Sequence, residues 1–131
     1  MVEYLVGAAH APPGTAMEVA GDPAMLVAVP AEQYRTSYLV HAPTSFRSNY
    51  LSVIAPIGTV VTIDANPVDG WHAVDGSNWQ TATISLAAGS LHDGNHRVDA
   101  TAAVGITVYG YGDYSSYWYP GGLDVRSIVI E

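Results

Sequence analysis

The segment VGITVYGYGDYSSYWYP, residues 104–120, decides the fold. In its first half, aliphatic residues alternate with threonine and tyrosine, which is the two-residue period of a β-strand with one face in the core. The alternation places Val104, Ile106 and Val108 in the core. It places Tyr109 and Tyr111 on the opposite face of the same strand.

Two glycines extend the aliphatic face of this strand. Gly110 and Gly112 occupy the positions at which further core side chains would follow Val108. A glycine inside a strand marks a bend, or a place where another group approaches the backbone closely. The residues that follow predict a turn at 113–116 and a short aromatic strand at 117–119.

Short runs rich in valine, isoleucine, threonine and tyrosine recur between turn signals along the chain, and no stretch shows sustained helical periodicity. Residues 79–86 alternate in the same way as the opening segment, which predicts another half-buried antiparallel strand. The predicted strands are Glu3–Ala8, Met25–Val29, Ser37–Ala42, Asn49–Ala55, Thr59–Ile63, Gln80–Leu86, His96–Ala100, Val104–Tyr111 and Val125–Ile130. This pattern predicts an all-β fold, an antiparallel β-sandwich of jelly-roll or immunoglobulin-like type without substantial helix.

The chain divides by composition into two parts. Residues 1–24 contain one predicted strand and a tether rich in proline and glycine, and residues 25–131 form the predicted β-sandwich domain. Two alternatives stay open for the first strand. It folds back as an edge strand of its own chain, or it adds to the sheet of a neighbouring molecule.

Charge and cysteine content exclude several classes of function. The 131 residues contain no lysine and four arginines against twelve carboxylates, for a net charge of -8, which opposes binding to nucleic acid or to anionic membranes. The absence of cysteine excludes disulfides and thiol catalysis. No apolar run approaches the roughly 18 residues of a membrane-spanning helix, so we predict no membrane insertion. The first residues lack the basic segment of a signal peptide.

Catalytic and metal-binding motifs are weak. No nucleophilic serine motif, phosphate-binding glycine loop or paired acid and base is present, so we predict no enzyme activity and no cofactor. Two turns carry possible metal ligands, but the first lacks a third firm ligand and the second lacks the spacing of a calcium-binding loop. The residues concerned are His92, Asp93 and His96 for zinc or copper, and Asp64, Asn66 and Asp69 for calcium.

The aromatic residues of the C-terminal third suggest recognition. Tyrosine, tryptophan, serine and glycine dominate binding surfaces, but the same residues also fill β-sheet cores. Either these rings join the last strands together, or they form a contact surface for a protein or a glycan. The predicted ligand-binding residues are Tyr111, Tyr114, Tyr117, Trp118, Tyr119 and Trp71.

Three segments resemble a known family. They are residues 21–43, 50–64 and 93–126, which carry the motifs GDPAM, P-x-E-Q-Y-R and D-G-x-H-x-V and the long motif that begins G-I-x-V-Y-G-Y. Together they resemble the N-terminal domain of immunoglobulin-G-Fc-binding protein, in the form found in bacterial surface proteins. The resemblance corresponds to the C-terminal portion of that longer domain, which would make this chain a short version of the family unit.

The resemblance implies a β-rich module of extracellular or cell-surface proteins that binds protein or glycan, or mediates adhesion, without catalysis. It assigns His96 to a recurrent turn, which favours packing over metal binding. It provides no residue of this chain that would contact an antibody. The alternative function is a self-assembling structural module that uses its N-terminal strand for intermolecular sheet addition.

Overall fold

The computed structural model describes residues 2–5, 21–87 and 93–125. Within these ranges there are ten strands, one 3-10 turn (Ala31–Gln33) and no α-helix. The strands are β1 (Val2–Leu5), β2 (Ala24–Val27), β3 (Arg35–His41), β4 (Ser48–Pro56), β5 (Val61–Ile63), β6 (Asn66–Pro67), β7 (His72–Ala73), β8 (Trp79–Leu86), β9 (Asn95–Gly112) and β10 (Ser115–Pro120). All pairings are antiparallel, so the predicted all-β antiparallel class is confirmed.

Strand β9 organises the main sheet. Its first half pairs with β3 and β5, and its second half pairs with β4 and β10. Strand β6 pairs with β5, β8 pairs with β4, and β7 pairs with β8. Together these strands form one curled sheet. The separate strands predicted at 96–100 and 104–111 are therefore one continuous strand. A sandwich of jelly-roll or immunoglobulin-like type stays a prediction.

The register between β9 and β3 shifts in the middle of their pairing. Asp99 lies opposite Ser37, whereas Val104 lies opposite Arg35, so β9 advances five residues while β3 advances two. Extra residues in one strand of a pair bend that strand. The Tyr38 hydroxyl fills the resulting gap, because it accepts the Arg35 N–H at 2.8 Å and donates to the Val104 carbonyl.

The hydrophobic core lies on one face of the curled sheet. Its fully buried side chains are Leu51, Val53, Val61, Val98, Val104 and Val108. The alternation predicted for the opening segment is confirmed, since Ile106 is also buried and Tyr109 and Tyr111 lie on the other face. In β8 the same parity buries Ala82 and Leu86.

Strands β1 and β2 form a separate two-stranded ribbon, with Val2 opposite Val27 and Leu5 opposite Ala24. The first strand therefore folds back within its own chain. Gly21, just before β2, donates its N–H to the Gly112 carbonyl at 2.7 Å and so ties this segment to the end of β9. The predicted domain boundary after residue 24 stays a prediction, and 126–130 of the last predicted strand lie outside the described residues.

Candidate binding face

Four rings meet on the face of the sheet opposite the core, and we call this group the outer aromatic face: Tyr50, Tyr109, Tyr111 and Trp118. Tyr109 in β9 lies directly opposite Tyr50 in β4 and Trp118 in β10. The Tyr50 and Tyr109 rings stack, with centroids 5.2 Å apart and an interplanar angle of 21°. Trp118 meets Tyr109 edge to face at 6.3 Å. Such pairs of rings add stabilisation beyond the area that they bury.

The segment before β2 contacts one end of the outer aromatic face. A Cβ atom on Gly21 would lie 2.8 Å from Cδ1 of Tyr111, so only glycine allows this close approach. Burial, together with the neighbouring Tyr109 and Tyr50, raises the pKa of the Tyr111 hydroxyl. All four rings are half-buried. The indole Nε1–H of Trp118 has no hydrogen-bond acceptor among the described residues.

Tyr117 and Tyr119 lie on the other face of β10, toward the core. The two rings stack with centroids 6.0 Å apart, and Phe46 packs edge-on against Tyr117. The Tyr117 ring lies against Gly110, where an added Cβ would be 2.5 Å from Cε1 of the ring. Of the two alternatives predicted for Gly110, a bend or a close approach, the structure shows a close approach, and the approaching group is an aromatic ring.

Hydrogen bonds from both of these tyrosines attach β10 to other strands. The Tyr117 hydroxyl donates to Asn49 Oδ1 at 2.6 Å, and Asn49 in turn donates to the Pro43 carbonyl. The Tyr119 hydroxyl donates to the His41 carbonyl at 2.7 Å and accepts the His41 N–H at 2.9 Å. These bonds make Tyr117 and Tyr119 the link between β10 and the strands around it.

We expect these half-buried phenols to make the free energy of unfolding depend on pH in the alkaline range. Burial raises the pKa of Tyr117 well above its ordinary value of 10.0 and also raises the pKa of Tyr119. A raised pKa in the folded state means that the stabilisation is complete below about pH 10 and is lost as the pH rises through the folded value. Urea unfolding at several pH values between about 9 and 11.5 measures this loss.

The control for this alkaline effect is Tyr117→Phe, which removes one of the phenols concerned. We expect the free energy of unfolding of the wild type to fall more steeply with pH than that of Tyr117→Phe, whatever their difference at neutral pH. Equal slopes for the two proteins would show that Tyr117 ionises as readily in the folded chain as in the unfolded one.

The other two predicted contact residues lie apart from these pairs. Tyr114 forms the turn between β9 and β10, with 73% of its surface exposed and a positive φ of 49°. Beside it, Asp113 forms an ion pair with Arg47 at 2.7 Å. Trp71 is half-buried against the core, and its indole N–H donates to the Val68 carbonyl at 3.0 Å. Among the described residues, no ring contact joins Trp71 to the tyrosines.

Tyr50 belongs to the outer aromatic face, but it was not among the predicted contact residues. Alternate residues of a strand point to opposite faces, so its position between Asn49 and Leu51 places it on the outer face of β4. This alternation could have identified Tyr50 from the sequence. Its contact with Tyr109 depends on the register between strands 59 residues apart, and the sequence carries no local sign of that register.

The possible metal ligands do not assemble into a site within the described residues. No group of three histidine, aspartate or glutamate side chains there could hold an ion. His92 lies outside these residues. His96 is buried and faces Asp64, with Nδ1 2.7 Å from Oδ2. No helix in the described part of the chain is both long and apolar enough to cross a bilayer.

Comparison with known proteins identifies the family. The family described as IgGFc binding protein matches residues 1–110. The matched range ends inside β9, so Tyr111 and all of β10 lie beyond it. Comparison with curated proteins and with solved structures gave no match. Because the family match covers residues 1–110 of 131, the chain belongs to the IgGFc-binding protein family.

Proposed function

We propose that this chain is a non-catalytic, extracellular protein-binding module whose contact surface is the outer aromatic face together with Tyr114. The family supports the protein-binding class, because its description names an antibody Fc region as what is bound. The observation that carries the choice of surface is the row of Tyr50, Tyr109 and Trp118 across three strands, on the face opposite the core.

The geometry favours a rigid surface. Tyr117 and Tyr119 anchor β10 from the core side, so the backbone that carries Trp118 is held in place before any partner arrives. Preorganised aromatic rings bind with little loss of conformational entropy, and a well-packed tryptophan contributes about 2 kcal/mol or more to an interface. In this proposal Tyr117 and Tyr119, which were predicted as contact residues, act by positioning Trp118. A binding role for Trp71 stays a prediction.

The outer aromatic face contains one unsatisfied donor. The Trp118 Nε1–H lacks an acceptor among the described residues, and a buried donor without a partner costs free energy. The family description favours a protein ligand over a glycan, whose recognition stays an alternative outcome of the binding experiment.

The test is surface plasmon resonance with immobilised chain against IgG Fc and a panel of extracellular proteins, in parallel with a glycan array. We expect a protein on the panel to bind the wild type and to bind Trp118→Ala at least about 30-fold more weakly. Leu39→Ala is the matched control, because Leu39 is 76% exposed on β3, away from this face. Equal loss in both variants, or binding to glycans alone, would refute the proposal.

Localisation at a cell surface, a role in adhesion and bacterial origin stay predictions, as does correspondence to the C-terminal portion of the family domain. Self-assembly through the N-terminal strand also stays a prediction. Strand β1 pairs along one edge with β2 of the same chain, and among the described strands none pairs with its other edge.

A further inference from the structure

Three aspartates of this chain are followed directly by glycine: Asp69, Asp75 and Asp93. An aspartate in this position can isomerise, because glycine has no side chain to keep its backbone nitrogen away from the neighbouring carboxyl carbon. The reaction requires the backbone to rotate until the glycine nitrogen faces that carbon. The folded structure therefore decides which of the three sites reacts.

The reaction exchanges bonds within the chain and needs only water. The glycine nitrogen loses its proton and attacks Cγ of the protonated aspartate carboxyl, the Cγ–O bond breaks, and one water molecule leaves. The product is a five-membered succinimide. Water then opens this ring at either carbonyl, which returns aspartate or gives isoaspartate, whose chain continues through the side-chain carboxyl carbon. No oxidant or reductant takes part, and the isoaspartyl chain has one more backbone atom.

Asp93 is restrained at both reacting groups. Its carboxylate oxygens accept the backbone N–H and the side-chain amide of Asn95, each at 2.9 Å. These bonds lower the pKa of the Asp93 carboxyl, which favours the ionised form, the poorer electrophile. Gly94 is fixed by Ala42, whose N–H donates to the Gly94 carbonyl at 2.7 Å and whose carbonyl group leaves no room for a Cβ on Gly94. Rotation at this site therefore requires local unfolding.

Asp75 lies in a hydrogen-bonded hairpin turn. The Val74 carbonyl accepts both the N–H of Ser77 at 3.1 Å and its hydroxyl at 2.8 Å, which closes the turn around Asp75 and Gly76. The Ser77 hydroxyl also accepts the Trp79 N–H at 3.1 Å, and the Val74 N–H donates to the Trp79 carbonyl at 2.9 Å. Rotation of the backbone between Asp75 and Gly76 disrupts this network.

Asp69 has none of these restraints. Its carboxylate has no hydrogen-bond or ion-pair partner among the described residues, and no backbone hydrogen bond there involves Asp69 or Gly70. Both residues are exposed, and a Cβ on Gly70 would meet no atom within 4 Å. On either side the chain is anchored, since the Val68 N–H donates to the Val61 carbonyl at 2.9 Å and Trp71 packs against the core. One unrestrained peptide bond thus lies between two anchored residues.

We propose that Asp69 is the site at which the folded chain isomerises, by succinimide formation with the Gly70 nitrogen. The fold selects this site over two others with the same dipeptide sequence. Its product carries the additional backbone atom between Val68 and Trp71, which disturbs the 3.0 Å hydrogen bond from the Trp71 indole N–H to the Val68 carbonyl. The reaction involves neither the outer aromatic face nor a partner, so it is independent of the proposed function.

The test is incubation of the folded chain at body temperature in mildly acidic buffer, followed by digestion and mass spectrometry with electron-transfer fragmentation, which distinguishes isoaspartate from aspartate. We expect isoaspartate to accumulate at Asp69 about tenfold or more faster than at Asp75, where hydrogen bonds of the turn have to break first. At Asp93 we expect none over the same period. In guanidinium chloride above the unfolding transition, where these restraints are absent, the three sites are expected to react within about threefold of one another.

The matched variant is Ser77→Ala, which removes two hydrogen bonds of the turn around Asp75 and none at Asp69. In the folded variant, isomerisation at Asp75 is expected to be about threefold or more faster than in the wild type, with the Asp69 rate unchanged. An unchanged Asp75 rate would overturn the proposal, since the turn would then not be what protects Asp75. Near-equal rates at Asp69 and Asp75 in the folded wild type, a preference for Asp69 that persists in guanidinium chloride, or no isoaspartate at Asp69 while the unfolded chain converts would each overturn it as well.

Discussion

Gly110→Ala is expected to destabilise the protein by about 3 kcal/mol or more, because no space exists for one added methyl group. The new Cβ would lie 2.5 Å from Cε1 of Tyr117, 2.6 Å from Asn49 Oδ1 and 2.8 Å from the Ser48 carbonyl oxygen. The last of these is a backbone atom of the paired strand β4, so relief requires the two strands to separate. Urea unfolding followed by tryptophan fluorescence measures the change.

The matched control is Gly112→Ala, two residues further along the same face of β9. There the nearest atom to an added Cβ is Cδ1 of Phe46 at 3.2 Å, a contact that a small movement of the ring relieves. Both substitutions reduce the entropy of the unfolded chain equally, so this contribution cancels in the comparison. Gly112→Ala is expected to cost about 1 kcal/mol or less. If both variants unfold at the same denaturant concentration, the packing of Tyr117 on Gly110 is not what restricts this position.

Tyr38→Phe is expected to lower the free energy of unfolding by about 2 kcal/mol. The hydroxyl is buried, as its raised pKa reflects, and it joins two backbone groups beside the register shift between β3 and β9. It accepts from the Arg35 N–H and donates to the Val104 carbonyl. Phenylalanine fills the same volume but removes both hydrogen bonds, of which the bond to the Val104 carbonyl is buried, and each loss costs about 1 kcal/mol or more.

Tyr114→Phe controls for the loss of a tyrosine hydroxyl as such. Tyr114 is largely exposed, and its hydroxyl has no hydrogen-bond partner among the described residues, so the substitution is expected to change stability by less than about 0.5 kcal/mol. Equilibrium unfolding of the two variants under identical conditions gives the comparison. A Tyr38→Phe value as small as that of Tyr114→Phe would mean that water replaces the lost hydroxyl and that Tyr38 does not stabilise the bend.

The sequence predicted several features of the site as well as the fold class. The alternation in residues 104–111 separated the core face from the tyrosine face, and the glycine at 110 marked a bend or a close approach, of which the structure shows the second. Both predictions were possible because the two-residue period and the need for glycine are properties of a single strand, and the residues of that strand determine them. The family also followed from short motifs along the chain, and the match over residues 1–110 confirms it.

What only the tertiary structure decided is which residues face each other across strands. Tyr50 stacks on Tyr109, His96 meets Asp64, and Tyr117 reaches Asn49, across separations of 59, 32 and 68 residues. Each of these contacts depends on register, and a shift by one residue would reverse the face of every side chain in the strand. Register is set when the whole core packs at once, so no single segment encodes it. The sequence alone therefore determined which residues share a face of each strand. Only the folded chain determined which residues lie opposite each other in neighbouring strands.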